Sequence, residues 1–319
     1  MSLISFIVEG LLVPIVSIFG LLGNVLSVII FYNSHDHRSL LSNFTKLLIC
    51  LAIFDSSFLI VATSIYLVKG WNIWSSPYIL TFPYVIPIAG IFLTCSVYTV
   101  VAITVERYAT ISQWQSRIFS ARVLIFFAIL ISVSFNFIKF FHHVAEEVDD
   151  LEGVTSFTIK PTWLRIHPTY NLYYGVIINF IVMTLIPMIV LTALNIFILR
   201  TISKMTQNQT DVSMATLLFS IVIVSLVCHS PRVILNIYEG IYKGNGQWSE
   251  WAEHMVPFSH LFLIINSSIN IIIYTARDLN FRKALVQMFR CKRTSAMTTD
   301  IHLKSLTSEH TKQDMISEA

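Results

Sequence analysis

Asp55, Glu106, Arg107, Arg232 and Glu239 stand inside, or at the end of, long apolar runs of this sequence. A carboxylate in such surroundings must take up a proton, a cation or a basic partner, and a guanidinium must find an anion. Asp55, with Ser96, Asn266, Ser267 and Asn270 on other runs, offers oxygens that suit either a hard cation or a protonated, hydrogen-bonded network. Arg232, Asn236 and Glu239 fall at i, i+4 and i+7, so they share one helical face. Glu239 can then take the guanidinium of a ligand, or Arg232 and Glu239 can satisfy each other. His260 and Tyr170 are candidates to complete that pocket. His229, beside Pro231, is either a packed polar residue or a conformational trigger. Covalent catalysis is not indicated: HExxH, GxSxG, Walker A and CxxC patterns are all missing, so no catalytic residue and no enzyme activity are expected.

What must position these residues is a set of membrane-crossing helices. Of 319 residues, 55% are hydrophobic and only 12% charged, against about 25% charged in soluble domains. Mean hydropathy is +0.71. A net charge of +3 and the lack of a long basic block argue against nucleic acid as a partner. Stretches near the roughly 20 apolar residues needed to cross a bilayer run from Gly10 to Phe31, Leu47 to Leu67, Thr81 to Val105, Val123 to Ile138, Leu172 to Leu199, Val212 to Ile241 and Met255 to Thr275. The expected fold is an all-α bundle of seven transmembrane helices over 10–276, after a short extracellular N-terminus, 1–9. Asp278 to Phe289 has apolar residues at helical spacing with basic residues between them, so 277–290 reads as an amphipathic helix on the inner leaflet, in contact with lipid. The polar tail 291–319 is expected to be cytoplasmic and disordered.

Lys and Arg set the orientation. With the C-terminus inside, 15 of the 21 fall on the cytoplasmic side. The acidic group Glu146, Glu147, Asp149, Asp150 and Glu152 is then extracellular, as a solvated loop or as a surface that steers a cationic ligand. Cys291, among Arg290, Lys292 and Arg293, is either a palmitoylation site or a free thiol.

Several short patterns lie in register on these spans: Gly23-Asn24-Val25; Leu51 to Asp55; Glu106-Arg107-Tyr108; Pro187; Cys228-His229-Ser230-Pro231; and Asn266 to Tyr274. Together they resemble the signatures of rhodopsin-like G-protein-coupled receptors, over about residues 10–290. Thr162 to Tyr170, Leu194-Asn195, Cys228 to Glu239 and the Asn-Ser-Ser-x-Asn run are further similar to invertebrate FMRFamide-type neuropeptide receptors.

The resemblance implies a plasma-membrane receptor for an extracellular, amidated RF-type peptide, coupled to a heterotrimeric G protein and regulated by arrestin and receptor kinases. It implies an allosteric sodium ion on Asp55, Ser96, Asn266, Ser267 and Asn270, and no other cofactor. It makes Glu106, Arg107, Tyr108, Asp211, His229, Pro231, Asn270 and Tyr274 the activation switch, with an Arg107–Asp211 latch; Asp211 could equally serve the start of its helix. Some positions depart from the pattern. Phe82 replaces the cysteine of the third span and the following outer loop has none, so the usual disulfide is missing. His229 replaces a Trp, Ile271 a Pro and Asn195 a Tyr. The alternatives are a chemosensory receptor of the same fold and, from another class, a transporter, for which inverted repeats and broken helices would be expected.

Overall fold

The computed structural model describes residues 3–33, 42–114, 119–149, 155–204, 209–242, 249–279 and 281–288. Helices dominate because a backbone in an apolar medium must satisfy its own hydrogen bonds. They are α1 (Leu3–Asn33), α2 (Asn43–Trp71), α3 (Ser76–Ile111), α4 (Ala121–Phe141), α5 (Pro168–Thr201), α6 (Gln209–Tyr242), α7 (Glu250–Ser268), α8 (Asn270–Arg277) and α9 (281–288). Six of them are long and apolar enough to cross a membrane, and α7 with α8, bent by 44°, makes a seventh span. Each starts or ends beyond the apolar run that announces it, since helical hydrogen bonding continues into the polar interface. The largest difference is at α1, which begins at Leu3 and so brings Glu9 into the bundle, where its side chain is fully buried.

The helices close into a ring: α1 packs on α2, α2 on α3, α5 on α6, α6 on α7 and α7 back on α1, while α3 also meets α4 and α5. Polarity is inverted relative to a soluble protein. Asn24, Asp55, Ser96, Thr99 and Ser267 are buried, whereas Ile15, Leu22, Phe126 and Ile234 are exposed on the outside. Such a surface is suited to lipid, and this is a multi-pass membrane protein. Close approach of the helices needs small residues: a Cβ on Gly20 would collide with Ser268.

The bend between α7 and α8 forms although no proline follows Asn270. The side-chain amide of Asn24 donates to the Ser267 carbonyl at the break (3.2 Å), and Asn270 is drawn to Asp55 across the core. A side chain inserted into the helical ladder is sufficient to bend it. Pro231 is compensated in a similar way, because Ser230 Oγ donates to the Val227 carbonyl (2.9 Å), which the proline cannot reach.

Between α4 and α5 the expected loop is an antiparallel hairpin, β1 (His143–Asp149) and β2 (Thr155–Pro161), in the register Val144 with Lys160 and Glu146 with Thr158. Glu146 accepts from Lys160 Nζ at 2.7 Å. Asp150 and Glu152 lie outside the described residues. The three described cysteines, Cys50, Cys95 and Cys228, are free. At the position of the missing cysteine, the ring of Phe82 meets that of His143 edge-on (6.0 Å) and those of Trp74 and Tyr78. The hairpin is therefore seated on α3 by aromatic contact. Past α8, the described part of the expected amphipathic helix, α9, buries Phe281 against Phe31 and Tyr274.

Candidate ligand and switch sites

Beneath the hairpin, the ends of α2 to α7 enclose a cavity of about 400 Å³, within the range of roughly 300–1,000 Å³ usual for ligand pockets. Arg232, Asn236, Glu239 and His260 all line it. Tyr170 stands one turn further out, hydrogen-bonded to His142 Nε2 at 2.8 Å, and Tyr174 is the tyrosine of the wall. The two tyrosine rings stack at 5.3 Å.

Glu239 is paired with Arg165 and not with Arg232: Arg165 donates to Glu239 Oε1 at 2.7 Å and also to Asn171 Oδ1. Arg165 lies between the fourth and fifth apolar runs, where a charge is unremarkable. Its signal was the Thr162 to Tyr170 stretch, which folds as a short helix, Trp163–Ile166, leading into α5 and aims Arg165 inward. Glu9 was missed as well. It accepts from Lys69 Nζ (2.9 Å), His260 Nδ1 (2.7 Å) and Ser5, and His260 stacks on Tyr66 at 4.2 Å. This cluster holds α1, α2 and α7 together at one corner of the cavity.

His229 lines the cavity and also a smaller one beneath it, of about 30 Å³, shared with Ser96 and Asn266. Its Nδ1 lies 2.8 Å from the Ser225 carbonyl, which can only accept, so Nδ1 carries the proton. Nε2 is then a buried acceptor, and it has no partner among the described residues.

Deeper in the bundle, Asp55 accepts from Ser96 Oγ (2.6 Å) and Asn270 Nδ2 (2.7 Å). Ser267 Oγ is buried beside the same carboxylate, and the hydroxyl of Tyr274 is buried without a hydrogen-bond partner among the described residues. At the far end, Arg107 lies flat over the Phe44 ring (3.5 Å) and 3.7 Å from Glu106, whose other oxygen accepts from Thr110. Tyr108 packs beside Phe197. Asp211 is in the first turn of α6, and its side chain lies outside the described residues, as does Cys291.

The bundle thus has an enclosed cavity at the hairpin end, a buried carboxylate in the middle and a Glu-Arg-Tyr step at the opposite end. The model of the 7 transmembrane receptor (rhodopsin family) matches residues 23–274, which include α2 to α7 in full. The chain belongs to this family. Its members are receptors, not enzymes. Curated relatives include the FMRFamide receptor of Drosophila melanogaster, 28% identical over 96% of this chain and 58% of its own length. The FMRFamide peptide receptor frpr-18 of Caenorhabditis elegans is 26% identical over 85% of this chain and 67% of its own. A probable G-protein coupled receptor of the same worm, frpr-1, is 21% identical over 88% and 78%. This chain therefore spans little more than half the length of the fly receptor.

Proposed function

We propose that this receptor binds an extracellular peptide with an amidated Arg-Phe end and passes the signal to a heterotrimeric G protein. The observation that carries the reading is Glu239, a carboxylate on the wall of the cavity that accepts a guanidinium at 2.7 Å. A peptide arginine would make the same charge-assisted contact, in exchange with Arg165. The uncharged amide end needs neutral partners, and Nε2 of His229 and the side chain of Asn236 supply them on the same wall. The fly relative and one of the two worm relatives, frpr-18, are named as FMRFamide receptors, which supports the same ligand class here.

In this reading the protein is in the plasma membrane, N-terminus and hairpin outside, C-terminus inside. Peptide binding favours an arrangement in which the Arg107 end opens to the G protein. Arg107 is held back by Glu106 and Asp211 until then; arrestin and receptor kinases act on the same face, and Cys291 carries a palmitoyl anchor. Asp55, Ser96, Asn270 and the buried hydroxyl of Ser267 fit a sodium ion, and Asn266 shares the small cavity with Ser96. When bound, the ion would neutralise Asp55 and brace α2, α3 and α7 against rearrangement.

The test is a cell assay of calcium and cAMP with amidated Arg-Phe peptides, on wild type and Glu239→Gln, with surface staining of both. Activation of wild type and a rightward shift of about tenfold or more in the variant is expected, from the loss of a charged hydrogen bond. Silence of a well-expressed wild type toward every peptide would overturn the ligand class.

A further inference from the structure

Cations outnumber carboxylates on the wall of the cavity. Lys69, Lys139, Arg165 and Arg232 line it, against Glu239. Two of the four are neutralised, Lys69 by Glu9 and Arg165 by Glu239. Among the described residues no carboxylate pairs with Lys139 or Arg232, and none of them hydrogen-bonds to the Arg232 side chain.

Lys139 is a built feature and not a stray surface lysine. Its Nζ donates to Asn136 Oδ1 at 2.8 Å and lies 4.8 Å from the centre of the Phe135 ring. Asn136 is fully buried, and its own amide donates to Thr94 Oγ1 (2.9 Å) and to the Ser132 carbonyl (2.8 Å). Gly90 of α3 makes the room: a Cβ there would come within 2.5 Å of Asn136 Oδ1. Thus α3 and α4 together aim an ammonium group into the cavity, and α6 brings a guanidinium to the same space. Two like charges left without a carboxylate on the wall of a partly buried cavity are costly, and an anion that enters is correspondingly favoured.

We propose that Lys139 and Arg232 form an anion subsite, distinct from Glu239, that takes a carboxylate of the ligand: an acidic side chain N-terminal to its amidated end. The placement of that carboxylate within a peptide rests on the peptide-receptor reading; the subsite itself does not. The ligand would thus be read at two points of opposite sign, Arg on Glu239 and Asp or Glu on Lys139 and Arg232.

The test has two arms. In the first, cells expressing the full chain receive matched amidated peptides ending in Arg-Phe that differ only by Asp or Asn in the N-terminal part, scanned over several positions. For at least one position the acidic peptide should be about tenfold more potent on wild type. Read as the ratio of Asp-peptide to Asn-peptide potency within each variant, that advantage should disappear in Lys139→Gln and in Arg232→Gln, and Lys139→Arg should retain it. Equal potency at every position, or an advantage that survives both substitutions, would overturn the subsite. The second arm covers the case in which no such peptide activates wild type. The purified full chain is heated with succinate or with its diamide at matched ionic strength. Stabilisation by succinate alone, lost in Lys139→Gln, supports the subsite even though the RF-peptide reading has failed. No difference between succinate and the diamide overturns it.

Discussion

Arg165 and Glu239 are 74 positions apart and meet at 2.7 Å, the guanidinium resting also on Asn171 at the start of α5. A carboxylate on α6 and the segment leading into α5 are thereby joined across the cavity wall. In the proposed reading the arginine of the ligand must displace Arg165. Arg165→Ala should therefore shift the response to amidated Arg-Phe peptides toward lower concentration by about three- to tenfold, while Glu239→Gln shifts it the other way. Concentration–response curves at matched surface expression decide this. If Arg165→Ala is as impaired as Glu239→Gln, the intact pair is what the ligand needs and the exchange does not occur.

The sodium assignment yields a separate expectation. In membranes, replacing sodium by N-methylglucamine should raise agonist affinity about fivefold in wild type, the scale of a modest allosteric coupling. Asp55→Asn should make affinity indifferent to the exchange. Ser267→Ala should weaken the sodium effect, because that buried hydroxyl stands beside the Asp55 carboxylate. An unchanged sodium effect in Asp55→Asn would sink the assignment.

These two sites differ in how far the sequence revealed them. Asp55, Asn266, Ser267 and Asn270 stand out because a polar residue in an apolar run is conspicuous, and helical spacing placed Arg232, Asn236 and Glu239 on one face that does line the cavity. Arg165, Lys139 and Glu9 were not legible. Each lies at or beyond the edge of an apolar run, where a charge reads as an interfacial anchor, and only the packing of α1, α4 and the α5 approach turns it inward. The hairpin was equally hidden, since the acidic residues Glu146 and Glu147 read as a solvated loop. Its pairing sets Ala145 against Ile159 and Glu147 against Phe157 on the face shared with His143, whose ring meets Phe82 of α3, a contact that no local pattern announces. The switch end lies between these extremes: Glu106-Arg107-Tyr108 is plain in the sequence, while the Phe44 ring under Arg107 is a product of the fold.

Asp211 separates two readings by experiment. If it holds Arg107, Asp211→Asn should raise signalling without ligand several-fold at equal surface expression, since the opposing charge is lost but the shape is kept. If it only favours the start of α6, the same change should cost about 0.3–1 kcal/mol of stability with basal signalling unchanged. Basal cAMP or calcium read together with thermal unfolding distinguishes the two.

The hairpin seat can be probed at Phe82. Removing that ring deprives His143, Trp74 and Tyr78 of a common neighbour. With no disulfide among the described cysteines to retain the hairpin, Phe82→Ala should speed amide exchange in β1 and β2 and leave the helices unchanged. Exchange rates identical to wild type would mean that the hairpin is held chiefly by other contacts, such as the donation from Thr162 N to the His142 carbonyl.

His142 gives the bundle a predictable sensitivity to acid. It sits just past α4, bonded to Tyr170, and its pKa is drawn down from 6.5 to about 4, first by burial and then by the positive charges of Arg165, His143 and Lys139. The unfolded chain would take up a proton here near pH 6.5, and the folded chain does not do so until about pH 4. The neutral imidazole therefore contributes fully above 6.5, and its contribution is lost as pH falls through the window below it. Thermal unfolding of the purified receptor should show this in the difference between wild type and His142→Gln. The variant should be less stable at neutral pH, where the Tyr170 contact is altered, and should lose less on acidification, so that the two curves converge toward pH 4. Curves that remain parallel would mean that the imidazole at 142 titrates alike in the folded and unfolded chain.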